Sequence, residues 1–278
     1  MLAHQGKSVE EVLNLLTQYE NCKIIAGGTD LIIQMREKRI SPAVLIDISS
    51  IQELKEIKVD GPFIEIGAAV TFTDIVESPI FEGNLSGLKK ACRLVGSPQI
   101  RNAGTIGGNI VNASPAADSV PPLLCLNSIL VFRSFRGIRQ VKLEDYFKYK
   151  QKLQIKEDEL LTAIRFRRPE GTLSFSKLGL RKALAISRIS MAAMVKLDEE
   201  GTIKDIALAS GALGKYPMRE REVEEFLLGK QLDVNTVDEG LKILREATDK
   251  RLAGRSSYPY KRRAVERLFR EVLSGVVA

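Results

Sequence analysis

Two short stretches of this 278-residue chain carry residue types from which a phosphate-binding surface can be built: Ala26-Gly-Gly-Thr-Asp-Leu31 and Thr105-Ile-Gly-Gly-Asn109. A diphosphate needs several backbone N–H groups aimed at it from close range. Glycine permits that approach and tolerates positive φ. Residues 23–26 read as a strand running into the first stretch, and residues 31–38 as a helix leaving it. That arrangement points amides and a helix dipole at an anion. The second stretch offers further amides, the Thr105 hydroxyl and the Asn109 carboxamide. The two together are expected to grip one diphosphate from opposite sides. No GxGxxG follows a strand and no GxxxxGK[ST] occurs, so neither a Rossmann dinucleotide site nor a P-loop is present. A Gly-Gly pair by itself serves equally as a turn. The residues alone therefore reach as far as a phosphate-rich ligand on a non-Rossmann fold.

Other chemistries have little to work with. The one histidine is His4, and there is no HExxH. Cys22, Cys92 and Cys125 are far apart and none belongs to a CxxC, whereas ordinary structural zinc and iron–sulfur sites take four ligands. The thiols read as small apolar side chains, and no metal ligand set is expected. Hydrolytic triads and histidine-based zinc catalysis are poor candidates, and no catalytic side chain is nominated. An enzyme built from these residues would borrow its chemistry from a cofactor.

Formal net charge is +7, and much of the excess sits between Arg245 and Arg270, where nine Lys/Arg face three Asp/Glu. Such a patch suits nucleic acid, an acidic partner or an anionic ligand, or is simply a solvated helix face. The stretch lacks a nucleic-acid motif, and Tyr258, Tyr260 and Phe269 form no stacking array. A partner subunit is the preferred functional reading. No apolar run approaches the ~20 residues that span a bilayer, and residues 1–11 lack an apolar signal core. The expectation is a soluble cytoplasmic protein that binds neither membrane nor nucleic acid.

The elements that must position the glycine stretches are legible in part. Ser8-Val-Glu-Glu11 has the form of a capping box, followed by Val9, Val12, Leu13 and Leu16 at helical spacing, so residues 9–19 should form an amphipathic helix. Residues 44–48 read as a strand. Strands are also expected at 64–69, 130–133 and 161–166, a short helix from Thr73-Asp74, and a helix through Leu85, Leu88, Ala91, Cys92 and Val95 that Gly96-Ser97-Pro98 ends. Residues 100–110, rich in Gly and Asn, show no helical period and read as loop, as do 112–122 with three prolines. Past the turn Arg168-Pro-Glu-Gly171, strands are expected at 174–180, 190–197 and 206–210, and helices at 219–228, 237–247 and 265–273. The class is α+β, divided at 1–54, 55–170 and 171–278.

Longer patterns carry a resemblance. Ala26-Gly-Gly-Thr-Asp-Leu31, Ile100-Arg-Asn-Ala-Gly-Thr-Ile-Gly-Gly-Asn109, Ser114-Pro-Ala-Ala-Asp118, Asp158-Glu-Leu-Leu161, Phe175-Ser-Lys177 before Arg181, and Tyr258-Pro-Tyr-Lys-Arg262 run the length of the chain. Together they resemble the FAD-binding (medium) subunit of molybdenum hydroxylases of the xanthine dehydrogenase and carbon monoxide dehydrogenase family. The resemblance implies a PCMH-type FAD-binding fold of two α/β subdomains, then a C-terminal domain of a small antiparallel sheet with helices. It implies FAD held by Ile24, Ile25, Ala26, Gly27, Gly28, Thr29, Asp30 and Leu31, with Thr105, Gly107, Gly108 and Asn109 opposite, and contacts from Asp118, Leu161 and Lys177. From the residues alone, Ile24, Ile25 and Leu161 are equally strand core, Asp118 a helix N-cap, and Lys177 a solvated strand lysine. Val95 lies where relatives touch the cofactor.

The implied partners are a molybdopterin-binding large subunit and a [2Fe–2S] small subunit. Electrons would pass from the clusters through FAD to NAD+ or another acceptor. The cysteine-rich insertion of the hydroxybenzoyl-CoA-reducing branch is missing, and Tyr258-Pro-Tyr-Lys departs from the family's Ser-x-Tyr-Arg pattern. The alternative is a stand-alone FAD-dependent oxidoreductase on the same fold; a third is a basic interaction module without a cofactor.

Overall fold

The computed structural model describes residues 1–149, 154–181 and 184–276. The chain forms two compact units, one of Met1–Ile75, Ser97–Asn112 and Ser128–Arg167, the other of Val76–Gly96, Ala113–Asn127 and Arg168–Ala278.

The first unit holds two sheets. A three-stranded parallel sheet has the order β1-β3-β2, with β1 Leu2–Gln5, β2 Cys22–Ile25 and β3 Val44–Asp47. Helix α1 (Val9–Gln18) covers it. Ser8 caps this helix by accepting from the Glu11 N–H at 3.2 Å, worth roughly 1 kcal/mol. Glu11 does not close the reciprocal bond to Ser8; its carboxylate takes the Lys7 N–H at 2.7 Å instead. The apolar stripe Val9, Val12, Leu13 and Leu16 packs with Val44, Ile46 and Ile48. Helix α2 (Leu31–Arg36) follows the first glycine stretch.

The second sheet of this unit is antiparallel, β4-β5-β8-β6-β7, with β4 Ile57–Asp60, β5 Phe63–Gly67, β6 Ile129–Ser134, β7 Gly137–Lys142 and β8 Leu160–Arg167. Short helices α3 (Phe72–Glu77), α5 (Pro98–Ala103), α6 (Ile106–Asn112) and α8 (Leu143–Lys148) connect these strands, and α4 (Ser86–Arg93) belongs to the other unit. Residues 100–110, read as loop from their Gly and Asn content, thus lie in two short helices separated at Gly104 and Thr105. Ser97 accepts from Ile100 N–H to start α5, with Pro98 in its first turn, and Thr105 starts α6. Local caps override a poor helical period when the helix is one or two turns long. Strands β1, β4 and β7 are too short or too polar in alternation to stand out in the sequence.

The second unit is built on an antiparallel sheet ordered β12-β11-β10-β9, comprising β9 Thr172–Gly179, β10 Ser187–Leu197, β11 Ile203–Gly211 and β12 Met218–Arg219. Along β10, Ile189, Met191, Ala193 and Val195 enter a core with Leu241, Leu244, Val265, Leu268, Phe269 and Val272. These last lie on α10 (Val234–Leu252) and α11 (Tyr258–Ser274), which follow α9 (Arg221–Leu227). The intervening Ala192 and Met194 are buried as well. Helices α4 and α7 (Val120–Cys125) pack on the same strands, and the Cys125 thiol donates to the Ala192 carbonyl at 3.3 Å. Cover on both faces explains why β10 reads as a continuous apolar run. Helix α7 begins inside residues read as loop, with Pro121 and Pro122 in its first turn, where a missing N–H costs nothing. No helix among the described residues is long and apolar enough to cross a membrane.

Candidate functional site

Strand β2 delivers the first glycine stretch. Its register with β3 pairs Ile24 with Ile46 and Ile25 with Asp47, after which the chain leaves the sheet. At Gly28 the backbone turns through φ +68°, the left-handed region that favours glycine. Gly27 is fixed by crowding: a Cβ there would stand 1.7 Å from the Ala103 carbonyl oxygen. Gly107 is likewise pressed on Ala68, whose carbonyl oxygen would lie 2.6 Å from an added Cβ. Gly27 and Gly107 are therefore wedged against backbone, and neither position tolerates a side chain.

They line one cavity of about 860 Å³ within the first unit. Ile24, Ile25, Ala26, Gly27, Gly28, Thr29, Asp30 and Leu31 form one part of its wall, and Thr105, Gly107, Gly108 and Asn109 another. Leu161 also reaches the wall while being 3% exposed, so its side chain is at once strand core and lining. Residues that the sequence did not single out complete the surface, among them Tyr19, Glu20, Cys22, Gln34, Phe72 and Lys156. Tyr19 to Asn21 connect α1 to β2, and nothing in their types marks them.

The two stretches differ in what their amides can do. Among the described residues, no group accepts from the N–H of Gly27, Gly28, Thr29 or Asp30. Four consecutive unengaged donors at a cavity wall are the kind of donor set that an anion-binding row requires. In the second stretch every amide from 106 to 109 is engaged. Ile106 donates to Val70 O at 2.9 Å, Gly107 to Ala68 O at 3.0 Å, Gly108 to Thr105 Oγ1 at 3.1 Å and Asn109 to Thr105 O at 3.0 Å. The expectation of two opposed sets of free amides is corrected accordingly. The second stretch contributes a smooth wall of two glycines and the Thr105 hydroxyl, whose oxygen caps α6. Helix α2, six residues long, adds little dipole of its own to the first.

A set of ion pairs pins the strand entry that borders the cavity. Arg139 grips Glu159 through Nε and Nη2, at 2.8 and 2.6 Å, and the Lys156 N–H donates to the same carboxylate at 3.0 Å. Arg136 pairs with Asp158. Burial alone would push the Glu159 carboxyl up, but the bonds from Arg139 and Lys156 outweigh it and hold it below the ordinary carboxylate value.

Asp118 and Lys177 lie in the second unit. The Lys177 ammonium donates to Asp118 Oδ2 at 2.7 Å, Leu94 O at 2.8 Å and Ala185 O at 3.1 Å, which engages all three of its protons. Ser187 donates to the other oxygen of Asp118. The pair is nearly sealed, with side chains 10% and 7% exposed. Lys177 is therefore no solvated strand lysine. Asp118 is not a helix cap either, since Ser119 takes that position in α7. Burial pushes the Asp118 carboxyl up, against the pull of Lys177 and Ser187.

With this geometry in place, comparison with known proteins identifies the class. Residues 2–168 match the family described as the FAD binding domain in molybdopterin dehydrogenase, and residues 174–276 match the CO dehydrogenase flavoprotein C-terminal domain. The chain is 38% identical to the nicotinate dehydrogenase FAD-subunit of Eubacterium barkeri over 98% of its own length and 94% of that protein. It is 29% identical to the carbon monoxide dehydrogenase medium chain of Afipia carboxidovorans, covering 95% of each. A solved carbon monoxide dehydrogenase from Hydrogenophaga pseudoflava, in a form lacking the Mo-pyranopterin moiety, superposes with a TM-score of 0.90 at 27% identity. That match covers 99% of this chain and 96% of the other. The chain belongs to the FAD-binding medium-subunit family of the xanthine dehydrogenase and carbon monoxide dehydrogenase type. It is an oxidoreductase subunit, and its cofactor is FAD.

Proposed function

We propose that this chain carries electrons from the [2Fe–2S] clusters of a small partner subunit, through FAD, to NAD+ or another acceptor. Substrate would be oxidised on a molybdopterin-binding large subunit. The observation that carries the cofactor placement is the row of unengaged amides from Gly27 to Asp30 on a cavity of about 860 Å³. The isoalloxazine supplies the redox chemistry when bound, and the protein supplies position and field.

The residues divide the task as follows. Gly27, Gly28, Thr29 and Asp30 present their N–H groups to the diphosphate, with Ala26 and Leu31 completing the loop. Ile24, Ile25 and Leu161 give an apolar surface. Gly107 and Gly108 let the ligand approach the backbone, and Thr105 and Asn109 offer polar contacts. Asp118 and Lys177 are assigned to the same cofactor. With its three protons engaged, Lys177 would serve by holding Asp118 rather than by a direct bond. The division at 1–54, 55–170 and 171–278 is retained as a proposal, supported by one sheet in each segment. Three free thiols accord with a cytoplasmic location.

Anaerobic reduction tests the acceptor and the relay together. The FAD-loaded chain should bleach with NADH if NAD+ is the acceptor. In complex with the reduced iron–sulfur subunit it should bleach without NADH. A chain that turns over a substrate with neither iron nor molybdenum present would instead be the stand-alone oxidoreductase.

A further inference from the structure

The basic stretch of the sequence resolves into two populations. Five of its arginines serve the fold: Arg245 pairs with Glu266 at 2.7 Å, Arg251 with Glu220 at 2.8 Å, Arg262 with Asp249 at 3.1 Å, Arg267 with Glu271 at 2.6 Å and Arg270 with Asp238 at 2.5 Å. The other four, Lys250, Arg255, Lys261 and Arg263, have no carboxylate partner among the described residues, and Lys261 lies within electrostatic reach of both Arg255 and Arg188, the latter from β10. Arg188 likewise pairs with no carboxylate among the described residues. Lys261 sits in the first turn of α11, half-buried, and its ammonium donates to the Ala212 carbonyl. Ala212 directly follows Gly211, which pairs with Ser190, so Arg188 at the start of β10 borders the same end of the sheet. Arg255 lies in the turn before α11 and is exposed, as is Arg188.

We propose that Arg188, Arg255 and Lys261 form a docking surface for an acidic segment of a partner polypeptide. Like charges held together without counter-ions oppose the fold, and a partner carboxylate relieves that repulsion. The strain is visible at Lys261: burial lowers its pKa, and the charges of Arg255 and Arg188 lower it further. Two exposed arginines, and a 42% exposed Tyr260 directly before Lys261 in the chain, have the composition of a protein interface rather than of an enclosed small-ligand site. This inference rests on the subunit reading above.

The test measures the dissociation constant of the FAD-loaded chain for the isolated pair of large and small subunits, at low and high salt. R188E/R255E/K261E should raise Kd at least tenfold at low salt, with the difference shrinking as salt rises. R188E/R255E, which leaves the half-buried lysine intact, should raise it several-fold and keeps the test valid if the triple variant does not fold. K7E/K55E/K142E, a charge-matched control on exposed lysines, should change Kd by less than twofold. A Kd within twofold of wild type for R188E/R255E, with an unchanged Tm, overturns the proposal. Equal weakening by the control overturns it too, because net charge alone would then explain the effect. Loss of oligonucleotide binding in the triple variant with subunit affinity intact would assign the surface to nucleic acid instead. Wild-type chain that never binds the subunit pair would fail the subunit reading itself, and this surface with it.

Discussion

Gly27→Ala isolates the most constrained position of the site. The new Cβ would stand 1.7 Å from the Ala103 carbonyl oxygen and 2.3 Å from its carbon, both backbone atoms that cannot rotate away. Ordinary contact needs about 3.4 Å, so the loop must retreat by about 1.7 Å. Amides that reach a diphosphate at about 2.9 Å would then stand beyond the ~3.5 Å limit of a hydrogen bond. Bonds to charged groups contribute roughly 1.5–3 kcal/mol each. Losing two of the four costs about 3–6 kcal/mol, a rise in the Kd for FAD of about a hundredfold to ten-thousandfold. Overpacking should also lower stability by about 1–3 kcal/mol. Gly108→Ala is the comparison: its Cβ would meet only the Thr105 Oγ1, at 2.9 Å, and its amide is already engaged with that oxygen. It should weaken FAD less than tenfold. The assay is fluorescence titration of the apo-chain with FAD, beside urea denaturation. Folded G27A that binds FAD within threefold of wild type, or G108A weaker than G27A, would refute the reasoning.

Three further outcomes follow from the same geometry. Asp118→Asn leaves the Lys177 ammonium buried without its counter-ion and should cost about 3–5 kcal/mol, most of it recovered in D118N/K177M; a loss below 1 kcal/mol by urea denaturation would contradict this. The Glu159 pKa is depressed in the fold, so its contribution is present above the ordinary carboxylate value near 4.5 and is lost as pH falls through the lower folded value. E159Q should therefore flatten the acid limb of stability against pH, and an unchanged limb would sink that assignment. Burial pushes the Cys125 thiol up to about 12 and the Cys92 thiol higher still, so alkylation followed by mass spectrometry should label native protein only at Cys22, with FAD slowing it there. Native labelling of Cys92 or Cys125 would show that their core opens.

How much of this was legible in the sequence depends on where the information sat. Helix α1 was readable because Ser8 and a Val-Leu stripe state its start and its buried face locally. The glycine stretches were readable as positions but not as roles. Only the fold reveals that Ala68 and Val70, more than thirty residues upstream, engage the amides of Gly107 and Ile106, beside the local bonds to Thr105. The same holds for Asp118, where sequence types allowed a cap and Ser187, from a strand 69 residues away, decides otherwise. Residues 100–110 misread as loop since short helices are set by caps and contacts rather than by period. The basic stretch showed its excess charge plainly; which cations pair internally depends on Asp238 and Asp249 of α10, Glu266 and Glu271 of α11, and Glu220 just before α9.

The central claim is that FAD is held chiefly by the amides of Gly27 to Asp30. Amide hydrogen exchange followed by NMR, on the chain with and without FAD, tests it most directly. FAD should slow exchange at Gly27, Gly28, Thr29 and Asp30 while leaving Ile106 to Asn109, already bonded in the free chain, nearly unchanged. Stoichiometric FAD binding with no protection at Gly27 to Asp30 would contradict the account.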